Sequence, residues 1–307
     1  MLSQPILIVF LDGVGLAHPS DRNPLSSKEL LGLQLLGVEG LVAGLAVDDC
    51  DHVARAIDAN LGVVGLPQSA TGQTTLFTGV NAARQLGRHV AAYPGPQLKE
   101  IIARSGIMAR VRAADGTATL ANAYRQDTID ELDDGRRRIS ANVYLATSAG
   151  VALRPLADLR RGRAVSWELE RDMLGADHGE DVPLVSAAEA GRDLVGLAAD
   201  YDLTLFDCFL TDLAGHRRFG LTPEMAVDRV DRFLSGVVEH RNDPLTVVVC
   251  SDHGNLEEAD HRRHTRNPVP LVALGPAARR FREVEALDGV TPAVLSALGI
   301  DDRAAFQ

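Results

Sequence analysis

The stretch "LTVVVCSDHGNLEEADHRRHTRNPVP", residues 245–270, decides how this chain is read. It opens on an apolar, β-branched run, Leu245 to Cys250, that reads as a buried strand. Where the run stops, Asp252 and His253 follow at once, and His261 and His264 lie in the loop beyond. An ordinary surface loop has no need of such a concentration of ionisable side chains. In an open α/β sheet, ligands bind beyond the carboxyl ends of the strands, so these residues stand where such a fold builds its site.

Two further runs end the same way. "PILIVFLDG" (5–13) reads as a buried parallel strand closing in a turn at Asp12-Gly13. "DLTLFDCFLTDLAGH" (202–216) carries a strand into Asp212 and His216, four residues apart. "VARAIDANLG" (53–62) and "TATLANAY" (117–124) are further strand candidates. Helix patterns lie between them. "TTLFTGVNAARQ" (74–85) opens after a glycine, and "GPQLKEIIARSG" (95–106) runs from Pro to Gly. "TPEMAVDRVDRFLSGVVEH" (222–240) and "TPAVLSALG" (291–299) both begin Thr-Pro. Strands alternating with helices predict an α/β three-layer sandwich with a mostly parallel sheet covered on both faces.

The chain's 307 residues are enough for one large α/β core with a small insertion. The middle, residues 126–185, breaks the strand–helix rhythm and reads as that insertion or cap, with 1–125 and 186–307 as the core. Net charge is −11, which argues against nucleic acid or an anionic membrane as partner. Yet from Arg136 to Arg163 seven arginines face one acid, Asp158, a local excess of +6. Such a stretch is either a solvated face or a lid that grips an anionic substrate through guanidinium forks; Arg138 and Arg154 are the candidates for that grip. Cys50, Cys208 and Cys250 share no metal-type spacing, and buried reduced thiols are expected. With no signal peptide before the first strand and no apolar run of about 20 residues, the expected location is the cytoplasm.

The three strand ends and the loop beyond them together supply Asp12, Asp212, His216, Asp252, His253 and His264. Three carboxylates with three imidazoles suit Zn²⁺ or Mn²⁺ better than Ca²⁺, which prefers an all-oxygen shell. Left unpaired, charges buried at strand ends would cost several kcal/mol apiece, and divalent cations would neutralise them. His261, flanked by charges, is expected to face solvent.

These segments resemble the alkaline phosphatase superfamily, and within it the metalloenzyme group of cofactor-independent phosphoglycerate mutase and phosphopentomutase. "LDGVG" is similar to the mutase opening, "TDLAGH" to its "PDMVGH" segment, and "DHGNLE" and "HTRNPVP" to its later motifs. The resemblance covers residues 1–85 and 186–300. It implies two divalent metal ions, one held by Asp212, His216 and His264, the other by Asp12, Asp252 and His253 together with a hydroxyl nucleophile. The nucleophile falls in "GLPQSATGQTTLFTG" (65–79), where Ser69, Thr71, Thr74 and Thr75 compete. Counting forward from Pro67 favours Thr74, the first choice; counting back from "FTG" favours Ser69.

The chain departs from the mutases after "GQT", where their Gly-His pair is missing, and in its much smaller insertion. The expected activity is therefore hydrolysis of a small phosphomonoester through a covalent Thr or Ser intermediate, with phosphomutase activity as the alternative. A non-catalytic metal-binding regulatory protein and a plain doubly wound domain are the rivals from other classes. The complete ligand set argues against loss of turnover.

Overall fold

The computed structural model of the chain describes residues 4–27, 29–173 and 182–301. Parts of both the core and the cap drawn from sequence, at 1–3, 28, 174–181 and 302–307, lie outside the described residues. β1 (Ile6–Leu11) is buried along its whole length, and its alternate side chains serve two different cores. Ile6, Ile8 and Phe10 join one buried cluster, and Leu7, Val9 and Leu11 join another on the opposite face. This is the two-sided burial that an unbroken apolar strand demands.

The main sheet has seven strands: β1, β2 (Ala46–Asp48), β3 (His52–Ile57), β4 (Ala118–Leu120), β7 (Leu203–Cys208), β8 (Thr246–Cys250) and β9 (Val269–Leu274). Their spatial order is β2-β3-β9-β8-β1-β7-β4. β1, β4, β7 and β8 run parallel, and β3 shares their direction; β9 and β2 oppose it. The sheet is thus mostly parallel, as the alternation of strands and helices predicts. β9 is the strand the sequence conceals. "VPLVAL" follows Pro268 and holds Pro270, and proline is rare inside a central strand because it donates no ladder hydrogen bond.

One face is covered by the helices Leu31–Leu35, Ala187–Ala198 and Pro223–His240, the last two amphipathic and packed on each other. Thr222 caps the long helix through its hydroxyl, with Pro223 at the first position, as the Thr-Pro start implies. The other face is covered by Ser69–Thr78, Pro96–Ser105, Ile107–Ala113, Ala141–Ser148 and Val290–Ala297.

The middle segment is of two kinds. Helix Gln126–Asp133 buries none of its residues. By contrast, Ala141, Val143, Leu145 and Ala146 belong to the larger buried cluster. A two-stranded ribbon, β5 (Ala123–Tyr124) with β6 (Arg154–Pro155), ties the ends of this region together.

Strand order is what builds the site. β8, β1 and β7 are neighbours, and their registers pair Phe10 with Cys250 and Leu11 with Cys208. Three parallel strands therefore end side by side, delivering Asp12, the Asp252-His253 pair and the short helix Leu210–Gly215 to one edge.

Candidate metal centre

All six residues expected to ligate metal meet at that edge. Around Asp212, Oδ1 lies 3.3 Å from His216 Nε2 and 3.6 Å from His264 Nε2. Beside it, His253 Nε2 lies 3.2 Å from Asp12 Oδ1 and 3.7 Å from Asp252 Oδ2. The rings of His253 and His264 stack with centroids 3.8 Å apart, joining the two halves into one cluster. His261, by contrast, turns away and meets Glu258 at 3.0 Å.

The backbone sets the direction of the imidazoles. His216 Nδ1 lies 2.8 Å from the Arg262 carbonyl, and His264 Nδ1 lies 2.8 Å from the Pro67 carbonyl. A carbonyl only accepts, so each Nδ1 is the donor, and in the neutral tautomer each Nε2 is left as a lone pair. Those two bare atoms face each other at 3.2 Å. Neither can donate to the other, and a cation satisfies both at once.

The carboxylates make the same demand. Both oxygens of Asp252, fully buried, have no hydrogen-bond partner among the described residues. Burial, then the charge of Asp12, drives the Asp252 carboxyl well above the ordinary carboxylate range. Asp12 is also raised, first by burial, although His253 pulls it back. For His253, burial alone would lower the imidazole, but the carboxylates of Asp252 and Asp12 outweigh it and hold it up at about 10. His264 is pushed down to about 4 by burial and by His253. Without a cation the cluster retains protons that its charges require; the residues present therefore fit divalent metal.

Several residues hold these ligands, and their roles were not evident from the sequence. Glu257 is buried and accepts from Gly15 N (3.0 Å), Asn255 N (2.8 Å), Asn267 Nδ2 (3.0 Å) and the Thr265 hydroxyl. It locks the loops after β1 and β8 to the segment that carries His264. Asn255 Nδ2 donates to Asp212 Oδ1 at 2.9 Å, and Gln73 Nε2 to Asp12 Oδ2 at 3.1 Å. Gly13 turns the chain after β1 with φ +74°, and a side chain there would sit 2.9 Å from Asp212 Oδ1.

The competing hydroxyls separate cleanly. Ser69 is the first residue of the helix Ser69–Thr78, and its Oγ lies 3.0 Å from His253 Nε2. Thr74, Thr71 and Thr75 turn to backbone carbonyls instead: Thr74 to Ala70 (2.6 Å), Thr71 to Gln68 (3.1 Å) and Thr75 to Thr71 (2.8 Å). Thr74 is wholly buried inside the helix, so the register counted from Pro67 leads to a hydroxyl that does not reach the cluster. The helix also begins before Gly72 rather than after it; Gly72 lies within the first turn, where an added Cβ would come 3.0 Å from Asp252.

The two candidate arginines part company as well. Arg138 lines a cavity of about 530 Å³ that reaches Asp12, Ser69 and Asp212. Arg154 does not. Its guanidinium is buried against Thr119 Oγ1, the Arg163 carbonyl and Tyr201 OH, at 2.8–3.1 Å, in a separate depression with Asp158. The structure therefore does not bring Arg154, expected to grip substrate, to the cavity that reaches the cluster. The local positive excess is also partly neutralised by neighbours, since Arg136 pairs with Asp134 and Arg137 with Glu131.

Comparison with known proteins follows the same lines. The metalloenzyme superfamily profile matches residues 172–302. The chain is 26% identical over 295 residues to the 2,3-bisphosphoglycerate-independent phosphoglycerate mutase of Salmonella typhi, covering 86% of this chain and 55% of that one. It is 30% identical over 129 residues to the same enzyme of Coxiella burnetii, covering 39% of this chain and 25% of that one. The chain thus spans between a quarter and just over half the length of these relatives. Among solved structures, the alkaline phosphatase of the Antarctic bacterium TAB5 superposes with a TM-score of 0.56 at 11% identity, covering 98% of this chain and all of that one. The fold is alkaline phosphatase-like, and its clustered carboxylates and imidazoles are candidate ligands for a metal ion. Within that class the chain resembles cofactor-independent phosphoglycerate mutase in sequence.

Proposed function

We propose that this protein is a two-metal phosphoryl-transfer enzyme that hydrolyses a small phosphomonoester through a covalent intermediate on Ser69. The observation that carries the reading is the pairing of a cation-demanding cluster with one hydroxyl at a helix N-terminus. Asp212, His216 and His264 would hold one ion, and Asp12, Asp252 and His253 the other, with Mn²⁺ or Zn²⁺ suited to the mixed donor set. Bound there, divalent cations supply charge neutralisation for the phosphoryl group and lower the pKa of a neighbouring hydroxyl.

The chain's own residues do the rest. Ser69 opens its helix, so backbone N–H groups and the helix dipole favour an anion in front of it. Its oxygen forms a bond to phosphorus as the bond to the leaving alkoxide breaks, and the serine proton ends on the departing alcohol. Water then attacks the phosphoserine, returning Ser69–OH and inorganic phosphate. We further propose that residues 126–140, at the cavity rim, act as the cap, and that Arg138 contacts the anionic remainder of the substrate. The wide similarity to mutases supports intramolecular phosphoryl transfer as the second reading.

Purified protein stripped of metal and resupplied with Mn²⁺, Zn²⁺, Mg²⁺ or Co²⁺ tests this against p-nitrophenyl phosphate. Turnover is expected only with a divalent ion, falling by roughly three orders of magnitude or more in Ser69→Ala. Thr74→Ala is expected to cost stability far more than turnover. Turnover that survives metal removal, or is lost in Thr74→Ala but not Ser69→Ala, contradicts the proposal. Inorganic phosphate release separates hydrolase from mutase.

A further inference from the structure

The six candidate ligands are fastened in two different ways. Asp12, Asp252 and His253 stand on the ends of β1 and β8, whose register pairs Phe10 with Cys250. Ser251 ties those two ends together. Its Oγ accepts from Val14 N at 2.9 Å and donates to the His253 carbonyl at 3.2 Å. Ser251 and these three ligands are all buried.

The other half depends on a loop. Asp212 and His216 lie on the short helix Leu210–Gly215 and at its end, and His264 lies in the segment beyond β8. That segment supplies His264 and also directs the other two. The Arg262 carbonyl accepts from His216 Nδ1 at 2.8 Å, and Asn255 Nδ2 donates to Asp212 Oδ1 at 2.9 Å. A shift of residues 254–267 would therefore disturb all three ligands of this half at once.

Glu257 holds the segment closed. Its Oε2 accepts from Gly15 N and Asn255 N, and its Oε1 from the Thr265 hydroxyl and Asn267 Nδ2. Thr265, the neighbour of His264, is clipped a second time by its N–H, which donates to the Gly254 carbonyl at 2.9 Å. The fit around Glu257 is tight. A Cβ added at Gly15 or Gly254 would lie 2.1 Å or 2.2 Å from its Oε1, so the backbone reaches this side chain only because both positions lack one.

We infer that Glu257 is the positioning residue of one half of the metal centre alone. It governs the affinity of the ion held by Asp212, His216 and His264. The ion held by Asp12, Asp252 and His253 does not depend on it, because strand register and Ser251 fasten those ligands separately. This rests on the two-ion reading of the site. All four groups that meet Glu257 are donors. A glutamine in its place keeps one accepting oxygen and turns an NH₂ group on the remaining donors, so the segment has to move.

Mn²⁺ binding to metal-free protein, followed by calorimetry and by the electron paramagnetic resonance of free Mn²⁺, counts ions and their affinities without turnover. The unmodified protein should bind two. Glu257→Gln should bind one with its affinity unchanged and the second about 10-fold or more weakly, the usual effect of losing what orients a ligand. Thr265→Val, which removes one of the four contacts, should weaken the same ion about fivefold and carries the test if Glu257→Gln does not fold. His264→Ala should leave only the strand-borne ion, and adding Glu257→Gln to it should change that ion's affinity by no more than about twofold. A merely structural role would weaken both ions together. Equal weakening of both ions, or a larger loss of the ion that His264→Ala retains, overturns this inference alone. Fewer than two ions on the unmodified protein overturns the two-ion reading and this inference with it.

Discussion

Two arginines from one charged stretch have opposite fates, and the difference lies in their surroundings. Arg138 is exposed, lies 5.7 Å over the Tyr93 ring and has no carboxylate partner among the described residues. That arrangement suits the proposed contact with an anionic substrate. Arg154 has spent its donors on Thr119, Arg163 and Tyr201, and sits with its guanidinium against the Tyr201 ring. Arg138→Ala should lower kcat/KM for a substrate with a second anionic group by about 10- to 100-fold, the worth of a charge-assisted hydrogen bond. The loss on p-nitrophenyl phosphate should be smaller. Arg154→Ala should instead cost about 1–3 kcal/mol of stability, because it leaves buried polar partners unmet. Steady-state kinetics on both substrates and thermal unfolding of both variants check this. A kinetic defect in Arg154→Ala without a drop in Tm would reverse the assignment.

Elements matter here through how closely they approach. The helix Ser69–Thr78 brings Ser69 to His253 only because Gly72 lets its first turn lie against Asp252, where a Cβ would sit 3.0 Å from the Asp252 Cβ and carbonyl oxygen. Gly72→Ala should push the helix and the Asp252 loop apart by a few tenths of an ångström. Metal affinity should then fall by about 10-fold or more, the usual effect of disturbing what orients a ligand. Mn²⁺ titration with circular dichroism as a check on folding measures it; unchanged affinity would mean the loop yields freely. The proposed nucleophile was hard to place from sequence because the count forward from Pro67 and the count back from "FTG" reach different hydroxyls. A glycine followed by "QTTLFTG" reads as a helix start, which puts Thr74 in its first turn. The helix in fact begins at Ser69, and Thr74 lies one turn deeper with its hydroxyl on Ala70. The six candidate ligands were legible because five follow the three parallel strands and the sixth lies in a motif-bearing loop. β9 was not, because its prolines imitate a loop, and its place between β3 and β8 depends on partners far away in sequence.

At the scale of the whole molecule, the cluster makes stability depend on pH and metal together. Asp12, Asp252 and Asp207 are raised above their ordinary values, and His253 is raised to about 10. For each, the folded metal-free protein binds more protons than the unfolded chain, so stability is full below the unfolded pKa and falls as pH rises through the folded one. For His253 that window runs from about 6.5 to about 10. His264, lowered to about 4, acts in the opposite sense, its contribution being lost as pH falls from 6.5 towards 4. Divalent metal bound at the proposed site would replace the protons held by Asp12, Asp252 and His253. The rise in Tm on adding Mn²⁺ to metal-free protein should therefore be larger at pH 8 than at pH 5.5. A larger rise at the lower pH would show that the cluster is not the cation site. No helix among the described residues is long and apolar enough to cross a membrane.

The central claim is that phosphorus passes through Ser69. Protein loaded with Mn²⁺, mixed with p-nitrophenyl phosphate, quenched in acid within the first turnover and digested should yield one phosphorylated peptide, and fragmentation should place the phosphate on Ser69. Phosphate on Thr74, or rapid turnover with no phosphorylated peptide at any quench time, would contradict the account.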